Sequence, residues 1–468
     1  MQQALSPDNS AKMNRVFLQH RNTVSSFFKQ KKLLHNTRQL SSDPIVFVDG
    51  VRTPFLASLT DFENMMPHEL LSQAFTGLLS RTGVATDQVD YLCAGTVQQE
   101  VRTSNVTKEA AFDAGFPLGI PGHTVTMACI SANQAVTTCM GLLATGQSEV
   151  CIAGGVEFCS DMPIKYPRVV RQLLMKAPRA KTPEAKIQVG DLVKGFGPSS
   201  LAPELVDPRE FSSNEVMGHS ADRLCERFGV SREDQDSFGH RSHMMAAQAA
   251  KDGNLSDIIP VTVTGSDATV AEDNGIRVAS LEKLAKLRPA FRKGGTVTAA
   301  NSSFLSDGAT ACLLMKESKA KELGLKPKAY LREFAYASQD PKEELLLGPA
   351  YAIPKVLAKA GLGLNDFQVY ELHEAFAGQV LSNIKVLGSE TFCKENFGLA
   401  EKVGDLDMDK LNNWGGSVSI GHPFGATGIR LLSHAANRLA KEDGTRALVA
   451  ACAANAQGVA MIVERYPM

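Results

Sequence analysis

Apolar positions along this chain switch repeatedly between a period of two and a period near 3.6, which predicts strands alternating with helices. Ile45-Val-Phe-Val48 is a short β-branched run closed by Asp49-Gly50, a strand followed by a turn. Pro67 opens a stretch in which Leu70, Leu71, Phe75, Leu78 and Leu79 share one helical face. Tyr91-Leu-Cys93 reads as a strand. From Thr124 to Gly155 the pattern gives a strand, a sharp turn at Cys129, a helix reaching Gly146 and the buried strand Val150-Cys-Ile-Ala153. The same logic returns later: a strand over Phe367–Leu372, a helix from Ala375 to Leu387, a glycine-rich turn, a helix from Ala426 to Lys441, and strands at Ala447–Ala450 and Val459–Val463. Two βαβ-rich halves predict an internally duplicated α/β fold with its functional site where the halves meet.

Between the halves, from Pro163 to Lys283, the periodicity weakens. That segment starts with Lys165, Arg168, Arg171, Lys176, Arg179, Lys181, Lys186 and Lys194 against only Glu184 and Asp191, with Leu173, Leu174, Met175, Ile187, Val189, Leu192 and Val193 interspersed. Such a stretch suits the phosphates of a charged ligand, an anionic membrane surface, or plain solvent. The expected divisions are therefore a leader at 1–42, a first half at 43–162 continued at 284–330, a loop domain at 163–283 and a second half at 331–468.

Composition narrows the class. A chain of 468 residues exceeds one ordinary core, and 44% hydrophobic with 21% charged residues describes a globular protein. A net charge of −1 argues against nucleic-acid binding through bulk electrostatics. No apolar run reaches membrane-spanning length. The nine cysteines are odd in number and contain no Cys-x-x-Cys pair, which fits a reducing compartment and argues against a disulfide framework or a zinc knuckle. The first forty residues carry seven Lys or Arg against the single acid Asp8, the composition of a mitochondrial transit peptide or of a disordered basic tail.

Three residues stand out chemically. Cys129 follows a strand and precedes a helix, where free backbone N–H groups favour a thiolate; a core cysteine is the plainer alternative. His422 lies in Gly415-Gly-Ser-Val-Ser-Ile-Gly-His422-Pro-Phe-Gly-Ala-Thr-Gly428, whose glycines allow close backbone approach to an elongated ligand; it is otherwise a turn histidine. Cys452 ends an apolar strand and, alone, reads as buried. A nucleophilic thiol, a second thiol to move protons and an imidazole to activate them suit cleavage of a carbon–carbon bond beside a thioester. His373-Glu374 begins like a zinc-protease helix, but Ala377 stands where the second histidine must be, so no metal is expected.

Together these segments resemble the thiolase family from Ile45 to the C terminus. The resemblance is carried by Val48-Asp-Gly-Val-Arg-Thr-Pro-Phe55, Cys129-Ile-Ser-Ala-Asn133, Met217-Gly-His-Ser-Ala-Asp222, Asn301-Ser-Ser-Phe-Leu-Ser-Asp-Gly308, His373-Glu-Ala-Phe376, Gly421-His-Pro-Phe-Gly-Ala-Thr-Gly428 and the Cys452 loop. It implies a five-layer α-β-α-β-α fold with the loop domain over the site, and a 3-ketoacyl-CoA thiolase activity. In that activity Cys129 is the nucleophile, His422 its base and Cys452 the acid/base. The backbone N–H groups of Cys129 and Ala454 form an oxyanion hole, His373 helps hold the enolate, and Ser303 meets the pantetheine arm. Coenzyme A is a co-substrate, and no permanently bound cofactor is implied. Most thiolases carry Asn in place of His373. The histidine version, with Asn412-Asn-Trp-Gly-Gly416, looks like the branch that serves as the β subunit of a mitochondrial fatty-acid-oxidation complex. That branch implies long-chain substrates and a homodimer paired with a larger subunit, and the basic segment after Lys165 suits peripheral inner-membrane contact.

One departure matters. The family's last loop reads Cys-x-Gly-Gly-Gly-x-Gly or a near variant, whereas here it is Cys452-Ala-Ala-Asn455-Ala456-Gln-Gly458. Any positive φ in that loop strains Asn455 modestly and Ala456 more. An acetoacetyl-CoA-type thiolase and a weakly catalytic scaffold subunit stand as alternatives; a ketoacyl synthase, with a second histidine in place of Cys452, does not fit.

Overall fold

The computed structural model describes residues 43–194 and 196–467; the leader expected at 1–42 lies outside them. The strands are β1 (Ile45–Arg52), β2 (Leu56–Ala57), β3 (Tyr91–Gly95), β4 (Gly122–Val125), β5 (Val150–Glu157), β6 (Val261–Thr262), β7 (Thr269–Val270), β8 (Ser306–Lys316), β9 (Ala329–Ser338), β10 (Val369–Leu372), β11 (Arg446–Ala453) and β12 (Gln457–Arg465). All but β6 and β7 join one sheet in the order β10-β11-β12-β9-β1-β8-β5-β3-β4, with β2 beside β8. Its two halves meet at a short central seam, where β1 and β9 pair only through Val46–Tyr330 and Phe47–Ala329.

Strict alternation splits the strand side chains between cores. On β8, Ala309, Ala311, Leu313 and Met315 face an outer core with the helix Pro67–Thr82, while Cys312 and Leu314 face a central one. On β12, Val459, Met461 and Val463 face the same central core, and Ala460 and Ile462 face a second outer core with the helices Gly348–Ala360 and Ala377–Leu387. The helices Ser131–Ala144 and Thr427–Lys441 fill the centre and touch each other. The result is helix, sheet, helix, sheet, helix, the five-layer arrangement that the family resemblance implies.

Two local expectations differ. Asp49-Gly50 is no turn: β1 runs on to Arg52, with a register shift between Phe47 and Asp49. Gly50 is needed because a Cβ there would land on the Ser433 side chain and the Phe47 ring. The middle segment is also more helical than its periodicity suggested, containing Met217–Phe228 and Arg232–Lys251. The second of these buries Gly239, Ser242, Ala246 and Ala249 among others, a face of small residues that gives little hydrophobic signal. Buried Arg52 ties this segment to β1, bonding Asp257 at 3.0 Å and Asp273 at 2.6 and 2.8 Å. Truncating either carboxylate would leave a buried charge short of its partner, a loss of about 3–5 kcal/mol for such pairs.

Candidate active site

Cys129 sits between β4 and the helix Ser131–Ala144, on a turn where Ala128 adopts a left-handed φ of 48°. Ser131 locks that turn: its hydroxyl accepts the Met127 N–H at 2.7 Å and donates to the Ala128 carbonyl at 2.6 Å. Burial pushes the Cys129 thiol up to about 12. Opposing that, the backbone N–H groups of Ala454 and of Cys129 itself favour the thiolate, while the carboxylates of Glu157 and Glu210 add to the rise. The thiol is therefore protonated at rest and needs a base.

Cys452 lies at the end of β11, opposite Gly458 of β12, and is buried on the outer face rather than the central one. Burial raises its thiol, and proximity to Cys129 raises it further, so the two sulfurs are electrostatic neighbours. The hairpin turn beyond it runs through Asn455 at φ 62° and Ala456 at φ 53°, so both non-glycine residues carry the conformation that glycine adopts freely. Gly458 packs backbone to backbone on Gly348, a contact any Cβ would break.

His422 and His373 are stacked neutral imidazoles, with centroids 4.1 Å apart and 42° between their planes. Burial holds His422 down at about 3, helped by the Arg430 charge; burial, His422 and Arg430 together hold His373 well below its ordinary value. Their Nδ1 partners differ. His422 Nδ1 lies 2.7 Å from Thr427 Oγ1, whose one proton goes to the Pro423 carbonyl at 3.0 Å. Thr427 therefore accepts from Nδ1–H, and we assign His422 a bare, basic Nε2. His373 Nδ1 lies 2.9 Å from Ser417 Oγ, which already accepts from Arg430 Nη2 at 2.8 Å. The Ser417 proton then goes to Nδ1, and His373 is assigned an Nε2–H. Both Nε2 atoms are buried and bond no other protein group.

The surrounding loops are held by buried carboxylates. Glu374 accepts from Ser242, Asn412 and the Val418 N–H. Glu157 accepts the N–H groups of Val97, Gln98 and Gly425, and burial raises it to about 7. The His422 loop presses on the first half so closely that a Cβ on Gly155 would strike the Gly425 carbonyl, and one on Gly428 would strike Asn133. The His422 N–H is held by Ser306 Oγ at 2.9 Å.

Cys129, Ala454 and Cys452 thus form one group and His373 with His422 another, joined by loops packed on the Cys129 helix. Ser303 stands beside this assembly, its N–H and hydroxyl both donating to the Ala375 carbonyl at 3.0 Å. Sequence reasoning missed Ser417, Thr427, Arg430, Glu157 and Glu210. Only the spacing of Thr427, five residues past His422 at a helix start, offered a signal. Among the described residues no group of three or more His, Cys, Asp or Glu could hold a metal ion, and no helix is long and apolar enough to cross a membrane.

Comparison with known proteins agrees over almost the whole described chain. The thiolase N-terminal domain family matches residues 45–318 and the thiolase C-terminal domain family residues 325–465. The mitochondrial trifunctional enzyme subunit beta of Homo sapiens is 58% identical over 424 residues, covering 90% of this chain and 89% of that protein. A probable 3-ketoacyl-CoA thiolase of Caenorhabditis elegans is 51% identical over 446 residues, covering 95% of this chain and 99% of that one. The crystal structure of the Bacillus anthracis acetyl-CoA acetyltransferase superposes with a TM-score of 0.77 at 31% identity, covering 91% of this chain and 99% of that one. A chain with this five-layer fold, matched by both family domains and by relatives above half identity, belongs to the thiolase family.

Proposed function

We propose that this chain is a 3-ketoacyl-CoA thiolase that cleaves long-chain 3-ketoacyl-CoA with coenzyme A during fatty-acid β-oxidation. The observation that carries the reading is the pairing of two neighbouring thiols, Cys129 and Cys452, with the Ala454 N–H turned to the Cys129 sulfur. His422 Nε2 takes the Cys129 proton as sulfur attacks the 3-keto carbon, and the oxyanion sits against the Cys129 and Ala454 N–H groups. The bond between C2 and C3 breaks, its electrons passing to the thioester as an enolate. Protonated His422 and a water held by the His373 Nε2–H stabilise that enolate oxygen, and the Cys452 thiol protonates C2, releasing acetyl-CoA. The Cys452 thiolate then deprotonates coenzyme A, whose sulfur attacks the acyl carbon; Cys129 leaves as a thiolate that regains its proton from His422, and an acyl-CoA two carbons shorter is released. Two thiols are needed because one is esterified while the other moves protons.

In the same reading, residues 43–162 with 284–330 and residues 331–468 are the two catalytic halves, and 163–283 covers the site. Ser303 lies along the pantetheine path. The names of the relatives support a mitochondrial location and assembly with an α subunit; a homodimer paired with that larger subunit is what the family resemblance adds. The exposed Leu174 and Met175 on the basic helix Arg168–Lys176, with Ile187 and Val193 exposed on the helix Pro183–Val193, support contact with an anionic inner-membrane surface. The non-glycine residues at positive φ favour one second reading, a weakly catalytic scaffold.

Intact-protein mass after exposure to a long-chain 3-ketoacyl-CoA without free coenzyme A separates the two. A gain equal to the shortened acyl group in wild type, absent in Cys129→Ala, is expected. No gain with either long or short substrates would leave the scaffold, and a gain surviving in Cys129→Ala would put the nucleophile elsewhere.

A further inference from the structure

We propose that Glu210 and Asn455 form a clamp that holds the Ala454 amide against the Cys129 sulfur, which makes Glu210 a positioning residue for acyl transfer. The proposal rests on the thiolase reading above. Asn455 gives Glu210 two bonds: its N–H reaches Oε1 at 2.7 Å and its side-chain Nδ2 reaches Oε2 at 2.6 Å. Glycine, the residue the family pattern expects here, supplies only the first.

Glu210 is built to hold still. It is buried although Leu205, Val206 and Phe211 beside it are exposed, so this one side chain turns inward from an outward-facing segment. Its N–H donates to the Glu215 carbonyl and its carbonyl accepts from Asn214, both at 2.8 Å. Glu215 in turn takes two bonds at 3.0 Å from Arg223 on the helix Met217–Phe228, whose Ala221 and Leu224 enter the outer core around Cys452. A continuous chain of contacts therefore runs from the folded core, through the segment covering the site, to the residue next to the oxyanion donor. Both bonds end on a carboxylate, the stronger class of hydrogen bond. The clamp also explains how the loop tolerates Asn455 at positive φ: asparagine adopts that conformation at modest strain, and here its amide contributes a bond in return.

Glu210 works against the chemistry in one respect, since its charge opposes a Cys129 thiolate. Position and charge must therefore be tested apart. Asn455→Gly removes one bond and leaves all charges. Asn455→Asp sets two carboxylates face to face. Combining Asn455→Asp with Glu210→Gln reverses the polarity of the side-chain bond: the Gln amide donates to Asp, and its carbonyl accepts the residue 455 N–H.

The experiment is pre-steady-state acylation of the full-length chain by a 3-ketoacyl-CoA, read alongside iodoacetamide alkylation of Cys129. Asn455→Gly is expected to slow acylation on the order of tenfold with KM within about twofold, because a displaced donor weakens only the transition state. It also slows alkylation, since a weaker Ala454 bond disfavours the thiolate. Asn455→Asp is slower still, and the double variant recovers at least half of that loss. Unchanged acylation and alkylation in Asn455→Gly, or no recovery in the double variant at normal thermal stability, overturns the clamp. If wild type takes no acyl group, the thiolase reading fails, and the alkylation rates alone decide the clamp.

Discussion

His373 and His422 stack with centroids 4.1 Å apart, yet the hydroxyls behind them, Ser417 and Thr427, give one ring a donor and the other an acceptor at Nε2. Two imidazoles with the same tautomer would offer a substrate either two bases or two donors. Opposite tautomers offer a base for a thiol and, next to it, a donor for an oxyanion.

Removing the hydroxyl behind His373 tests that assignment. Ser417→Ala lets the ring place its proton on either nitrogen and leaves Arg430 Nη2 without its acceptor. We expect kcat to fall on the order of tenfold, about 1.4 kcal/mol of transition-state stabilisation, with KM little changed. Steady-state kinetics check it; an unchanged kcat would remove Ser417 from the mechanism.

Thr427→Val keeps the shape and deletes the acceptor for His422 Nδ1–H. A buried N–H left unpaired costs about 1–3 kcal/mol. The ring then shifts its proton to Nε2, which abolishes its capacity to accept from Cys129. Acylation of Cys129, followed by mass, is expected to slow by at least tenfold, while binding of coenzyme A is retained.

Cys129 and His422 are both neutral at rest, one raised to about 12 and the other held at about 3. Alkylation of Cys129 by iodoacetamide should therefore keep climbing from pH 7 to 9, close to tenfold per unit, as the small thiolate fraction grows. A plateau below pH 8 would mean a preformed thiolate–imidazolium pair.

The expectations that held rest on residues whose role is periodic. Leu70, Leu71, Phe75 and Leu78 are buried on one helix face, and alternation along β11 and β12 places side chains in two cores as the sequence required. Cys129 and Cys452 were visible because small residues and strand ends surround them. Polar residues buried for positioning left no such trace. Apart from the spacing of Thr427 to His422, nothing marks them: Ser417 and Arg430 look like any others in a loop or helix, and their meaning comes from partners that only folding brings within 3 Å. Gly50 shows the opposite failure, a turn-forming residue used instead for close approach of a helix.

Glu157 makes stability depend on pH in an unusual direction. Its folded value of about 7 exceeds the ordinary carboxyl value, so the folded state binds its proton more tightly than the unfolded chain. Stability from this group is fully present below the ordinary carboxyl range and is lost as pH rises through about 7. Glu157→Gln cannot titrate, and its Tm should vary less between pH 5 and 8. Its stability should also be lower throughout, by about 1–3 kcal/mol, because an amide NH2 then faces backbone donors. Thermal melts across that range check both expectations.

The two thiols belong to different halves of the sheet, Cys129 after β4 and Cys452 at the end of β11, and they point out of different cores. Under the proposed mechanism, assembly of the site is therefore a property of completed folding. A half-folded chain carries two ordinary protonated cysteines, without the amide that cradles one or the neighbour that tunes the other. In the thiolase reading proposed above, the base, the amide and the second thiol meet Cys129 only when both halves are packed together, so turnover, unlike simple thiol ionisation, waits for the finished fold.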